Sequence, residues 1–271
     1  MELIIQFYKV NYANYNPDII EKRQQEINYC LMENMKKNYL NQIHILYELD
    51  QDLHYLNKLG IDEKHPKITI YKLGKRINYA SVFIYANTYL AGKLCIYMHA
   101  DMKLHFGFEI LDHDTYLDNV IYTLTAHNQY TCDNTPYCHC TRKFHTDRGV
   151  YTPTIDGIVF KANIPQNVID NTNYVVHRLG AENKLVYHLK FNDYHVYCPN
   201  NILIAYHIHH VQIYDNPTRL WIDVDGNLHP KEYFSNMHSI QKKNNIPFDK
   251  RITGGGIPFF IGNVQIITTL I

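Results

Sequence analysis

The first hundred residues alternate between short apolar runs and longer amphipathic stretches, and this alternation limits the fold more than any other feature of the chain. Residues 3–10 (LIIQFYKV) form a mostly apolar run of strand length, interrupted by Gln6 and Lys9. Such a run marks a strand buried on both faces. Residues 17–39 carry Ile20, Ile27, Cys30, Leu31 and Met35 at roughly helical spacing, with Pro17 and Asp18 suited to a helix start. Further short apolar runs follow at 43–48 (IHILYE), 67–71 (KITIY) and 93–98 (KLCIYM). Helical patterns separate them at 53–59 and 78–91, the latter ending near Gly92. Strand, helix, strand, helix, strand predicts a Rossmann-like α/β fold: a mixed, mostly parallel sheet flanked by helices. Ligands of such sheets sit beyond the carboxyl ends of the strands, here just after residues 10, 48, 71 and 98.

The remainder continues the pattern more weakly. Strands are expected at 119–125 and 156–161, a helix at 182–191, and extended chain at 195–197 and 202–214. The tail at 252–271 has a Gly-Gly-Gly hinge and an apolar end that suits a final edge strand or a dimer contact. No repeat or linker interrupts the 271 residues. The chain reads as a single domain, with residues 1–105 as its ligand-binding half and 106–271 as the second half with the tail.

Charge narrows the function classes. Lys plus Arg and Asp plus Glu are both 26, so no basic surface is available for nucleic acid. No run of about 20 apolar residues is present, so no transmembrane segment is expected, and no secretory signal opens the chain. The cysteines are therefore expected to be reduced and the protein cytoplasmic. Cys132, Cys138 and Cys140 cluster with His139 and His145, but the spacing lacks the paired C-x2-C of zinc sites.

Several residues fall where a crevice ligand would lie. The run IYMHADMKLH at 96–105 carries an apolar strand directly into His99, Asp101 and His105. A carboxylate at that place suits a divalent cation bridging a diphosphate, whose departure develops negative charge. It equally suits a turn cap. In IAYHIHHVQIY (204–214), His207 and His209 share one strand face and His210 takes the other, so the pair suits either a metal or a half-buried surface. Gly180 precedes a helix that opens with Glu182 and Asn183. Glu182 suits a general base for an attacking hydroxyl, and on spacing alone it suits the helix dipole better. Tyr8 and Lys9 follow the first strand, and Arg76 follows the third, where a base could stack or a phosphate pair with guanidinium. Asp156 opens a strand. No Walker loop, dinucleotide fingerprint or Ser-His-Asp spacing is present.

The order of these segments resembles GT-A type glycosyltransferases, the nucleotide-diphospho-sugar transferases. The order looks especially like that of a family of small glycosyltransferases known from large DNA viruses and some microbes. The counterparts are a first strand, a helix carrying Arg23 and Glu26, YKLGKR (71–76), HADMKLH (99–105), LTAH (124–127), TIDGIVF (154–160), RLGAEN (178–183) and YHIHH (206–210). The resemblance spans residues 3–214 and implies a GT-A-like fold. It also implies transfer of a sugar from a nucleotide-diphosphate donor to a protein or glycan hydroxyl, assisted by Mn²⁺ or Mg²⁺. The donor would meet Tyr8, Lys9, Arg76 and Asp101. Metal ligands would be Asp101, His105, His207 and His209, and Glu182 and Asp156 would be catalytic. The location would be host cytoplasm if the source is viral. Three places depart from the pattern: His105 stands for a second Asp, Ala126 for an Arg, and Glu182-Asn183 for Asp-Asn. These departures keep open a catalytically inactive glycan- or nucleotide-binding protein on the same scaffold. A third reading, a metal-dependent phosphoesterase, draws on the 17 histidines but lacks a His-x-His-x-Asp motif.

Overall fold

In the computed structural model, the chain is described for residues 1–11, 15–111, 117–128, 155–174, 176, 180–199, 202–209, 220–222 and 227–229. The elements run β1 (Glu2–Gln6), α1 (Pro17–Met35), β2 (Gln42–Tyr47), α2 (Asp50–Lys58), β3 (Ile68–Lys72), α3 (Tyr79–Tyr89), β4 (Leu94–Met98) and β5 (Met102–Phe106). They continue with β6 (Val120–Leu124), β7 (Ala126–Asn128), β8 (Gly157–Lys161), α4 (Gln166–Asn171), α5 (Ala181–Phe191), β9 (His195–Tyr197), β10 (Ile204–His207), β11 (Trp221–Ile222) and β12 (Leu228–His229).

Seven strands form the main sheet in the order β3-β2-β1-β4-β8-β6-β9. Only β8 runs against its neighbours. The others are parallel where they pair with one another. The fold is therefore the single-domain, mixed and mostly parallel α/β architecture expected from the alternation. Both faces are covered, which explains the unbroken apolar strands. Leu3, Ile5 and Phe7 of the first segment pack with Ile27, Leu31, Leu56 and Met98 on one face. Ile4 points the other way, into Leu46, Phe83, Tyr97, Phe160 and Leu185.

A second, small sheet has the order β5-β10-β7, with β10 antiparallel to β5 and parallel to β7. Helix α1 closes over it through Cys30, which clusters with Ile204, Tyr206 and Ile208. Neither β5 nor β7 was foreseen as a strand, and α4 was missed as well. Segments this short carry too little periodicity to be read.

The first strand is shorter than its apolar run. Past Gln6, Phe7 N–H still donates to Leu46 C=O at 3.1 Å, and side chains then take the backbone donors: Asp52 accepts from Lys9 N–H at 2.9 Å and Gln24 from Val10 N–H at 2.7 Å. Helix α1 starts as expected, with Asn16 capping the Asp18 N–H at 2.9 Å and Pro17 in the first turn. The cysteine and histidine cluster at 132–145, His210 and the tail at 252–271 lie outside the described residues.

Candidate functional site

Asp101 sits one turn past the carboxyl end of β4 and is 6% exposed. Three basic side chains converge on its Oδ2. Arg23 Nη2 from α1 meets it directly, His207 Nε2 lies at 2.8 Å and His209 Nδ1 at 3.5 Å. Asp101 C=O also accepts from Ile208 N–H at 2.8 Å, which docks the end of β10 onto this turn and aims both imidazoles inward. The alternation of side chains along an extended chain thus delivers His207 and His209 to one carboxylate. Arg23 is held in turn by Glu26 Oε2 at 2.7 Å and by Ile208 C=O at 3.3 Å.

Burial opposes ionisation of Asp101, but His207, His209 and Arg23 outweigh it and hold the carboxyl well below the usual carboxylate range. For His207, burial disfavours the charged ring, and the Asp101 carboxylate overcomes this and raises its pKa. The Arg23 guanidinium also loses hydration, yet Asp101 and Glu26 strengthen its hold on the proton. The cluster is a buried network of near-balanced charge. Asp101, His207 and His209 are the group able to hold a metal ion among the described residues, with one donor atom from each lying within 4.8 Å of the others.

A second arm of the crevice lies beyond β1 and β3. Gln6, the last residue of β1, accepts from Ile77 N–H at 3.3 Å and donates to Lys75 C=O at 3.4 Å. This pins the segment carrying Arg76 against the end of β1. The Arg76 guanidinium then lies over the Tyr8 ring, 4.9 Å from its centroid. Tyr8 is also close enough to Arg23 to act on its charge.

Tyr97, in β4, links the arms. Burial raises its phenol pKa, and Arg76, Glu182 and Asp101 are all near enough to act on it. Glu182 opens α5 after Gly180, whose left-handed φ of +82° makes the turn into the helix. Asp156 enters from the start of β8. Its C=O accepts from His99 N–H at 3.1 Å, its own N–H donates to Leu124 C=O at 2.9 Å, and its charge reaches His207. Asp156 Oδ1 stands 3.8 Å from His99 Nδ1, and the buried Oδ2 has no hydrogen-bond partner among the described residues. Gly157 permits this approach. A Cβ there would come within 2.7 Å of Tyr97 O and 2.8 Å of the Met98 Cβ.

Two expected site residues are not brought to the crevice. His105, expected as a metal ligand, is exposed at the far end of β5 and stacks on Tyr206, with centroids 4.5 Å apart. It is placed there because β5 leads away from the Asp101 turn. Burial, with Lys37 and Lys103, lowers its pKa. Lys9 is exposed, and its backbone N–H donates to Asp52. Conversely, Arg23 and Glu26 served only as landmarks in the sequence. Their signal was legible: two charges, three residues apart, on the same helix stripe as Ile27, Cys30 and Leu31.

The sequence matches no protein-family model. It matches no curated protein either. Among solved structures, it is similar to the mannosyltransferase PcManGT from Pyrobaculum calidifontis in complex with GDP-Man and Mn²⁺. That likeness has a TM-score of 0.45 and 13% identity, covering 75% of this chain and 55% of that one. It is similar to S. aureus TarS in complex with UDP-GlcNAc, with a TM-score of 0.44 and 11% identity, covering 80% of this chain and 62% of that one. HddC from Yersinia pseudotuberculosis gives a TM-score of 0.35 and 8% identity, covering 64% of this chain and 80% of that one. The chain spans just over half the length of the mannosyltransferase. Likenesses this distant carry no inference about activity.

Proposed function

We propose that the protein is a glycosyltransferase that moves a sugar from a nucleotide-diphosphate donor to a hydroxyl of a protein or glycan. One observation supports the reading: Asp101, His207 and His209, a group able to hold a metal ion, lie just past the carboxyl end of β4 in a mostly parallel sheet, the edge at which such sheets bind nucleotides.

The donor set fits a divalent ion. One carboxylate oxygen and two imidazole nitrogens are within reach of a common centre, a mixture that suits Mn²⁺ or another transition metal better than Mg²⁺, which prefers oxygen. Asp101, His207 and His209 would hold it, and when bound it supplies positive charge to the departing diphosphate. Arg76, lying over Tyr8, supplies a donor fork for a phosphate, and Tyr8 offers a ring edge at the same place. In this reading Arg76 makes a phosphate contact on a chain that carries Ala126 where the resembling family carries Arg. In the transfer, the acceptor oxygen bonds to the anomeric carbon, the bond from that carbon to the phosphate oxygen breaks, and the nucleoside diphosphate leaves. Glu182 or Asp156 takes the acceptor proton. The Asp156 Oδ2, buried without a partner among the described residues, is an acceptor available for it.

A second reading is a binding protein without turnover on the same scaffold. The Arg23 guanidinium favours it, because a fixed cation already neutralises Asp101. Donor consumption separates the two. The wild-type protein is incubated with a panel of nucleotide sugars and Mn²⁺, and release of nucleoside diphosphate is followed beside Asp101→Asn. Release that requires Asp101 supports the transferase. Binding without release establishes the second reading, and neither binding nor release removes both.

A further inference from the structure

On the edge of the main sheet opposite the Asp101 cluster lies a groove of about 720 Å³. Its floor is polar where a sheet face under a helix is ordinarily apolar. Glu2, Gln42, His44 and Thr69 lie on three adjacent strands and share one face, since Glu2 is in register with Gln42, and His44 with Thr69. The floor is built with satisfied contacts. His44 bridges Glu2 Oε2 at 3.1 Å and the Tyr85 hydroxyl at 3.0 Å. Lys93 Nζ donates to Glu2 Oε1 at 3.3 Å, and Gln42 Nε2 donates to Thr69 Oγ1 at 3.1 Å.

One wall is aromatic. Tyr71, Tyr85 and Tyr89 have ring centroids 5.0, 4.9 and 5.5 Å apart. At that spacing the rings fill the space between themselves, so no cation or planar base enters among them. They instead present outer faces, and Tyr89 remains 54% exposed and Tyr71 36% exposed. Two large rings thus face solvent beside a polar floor.

The chemistry selects the ligand. The Glu2 carboxylate repels phosphate, and Lys93 beside it repels a cation, so the groove suits an uncharged ligand. Aromatic faces with carboxylate, amide and hydroxyl groups close by suit a molecule that has apolar C–H faces and many hydroxyls. The carboxylate has lone pairs left after its two contacts. We propose that this groove is a second ligand site that holds a neutral saccharide unit, stacked on Tyr71 and Tyr89 and hydrogen-bonded by Glu2, Gln42 and Thr69. The proposal rests on the groove alone and not on the transferase reading.

Saturation-transfer NMR tests it, with glucose, galactose, N-acetylglucosamine, maltose and lactose as probes and uridine as a control. Wild type, Tyr89→Ala, Glu2→Gln and Asp101→Asn are compared, with melting curves to show that each variant is folded. Transfer to at least one sugar is expected. It should persist in Asp101→Asn and weaken roughly five- to tenfold in Tyr89→Ala, as for loss of one stacked ring. Tyr89 is mostly exposed, so this variant keeps the test open if Glu2→Gln fails to fold. Absence of transfer to every sugar overturns the proposal. So does transfer abolished in Asp101→Asn but unchanged in Tyr89→Ala, which places the sugar in the crevice. Equal transfer to uridine overturns the choice of a saccharide.

Discussion

Arg23 and Asp101 form an ion pair between α1 and the turn after β4, with each side chain 8% exposed. The pair ties the first helix to the crevice and, through Ile208 C=O, to β10. Removing one partner of a buried pair strands the other. Arg23→Met is therefore expected to destabilise the protein by roughly 3 kcal/mol in urea unfolding. Adding Asp101→Asn should restore part of the loss, because the two residues share one network. Independent, additive losses would show that the pair is not coupled.

The same network bears on metal binding. Mn²⁺ at about a hundredfold its Kd should add about 2.7 kcal/mol of stability, visible as a raised melting temperature. His209→Ala should melt like wild type without metal and lose most of the Mn²⁺ shift, since its ring is partly exposed and supplies one of three donors. His105→Ala should retain the shift, as His105 stands outside the cluster. Loss of the shift in His105→Ala alone would overturn the assigned ligand set.

The Arg76 guanidinium lies over the Tyr8 ring beyond the ends of β1 and β3, where its donor fork would meet a phosphate of the donor. Arg76→Ala should weaken binding of the preferred nucleoside diphosphate about tenfold in calorimetry, the effect of losing a charge-assisted bond. Unchanged affinity would remove Arg76 from the donor site.

Gly157 is required by contact with β4, not by its backbone angle. Gly157→Ala is expected to cost about 1–3 kcal/mol, as overpacking does, because the Tyr97 carbonyl and Met98 Cβ have no room to give. Any transferase activity should fall further than stability, since Asp156 is the next residue. Wild-type stability would mean that β8 shifts freely.

Glu2 gives a pH signature. Burial alone would raise its pKa, but hydrogen bonds from His44 and Lys93 outweigh burial and lower it from the usual 4.5. A folded pKa below the unfolded one adds stability above the unfolded value, and that stability is lost as pH falls through the folded value. The stability gap between wild type and Glu2→Gln should be largest near neutral pH and close below about pH 4. A gap that stays constant with pH would show that the charge contributes nothing.

The sequence by itself determined the alternating βα order, because strands buried on both faces must be apolar throughout and each connecting helix must bury one stripe. It also put Asp101 beyond a strand end and His207 and His209 on a common face, since both follow from local periodicity. Only the tertiary structure decided which charges meet. That Arg23 on α1, His207 at the end of β10 and His209 just past it meet one carboxylate oxygen of Asp101 depends on β10 pairing with β5, a contact about a hundred residues apart in the chain. His105, nearer to Asp101 in sequence than any of them, was carried away because β5 runs outward from the turn. Strand registers across such separations are set by packing, and no spacing in a single sequence records them.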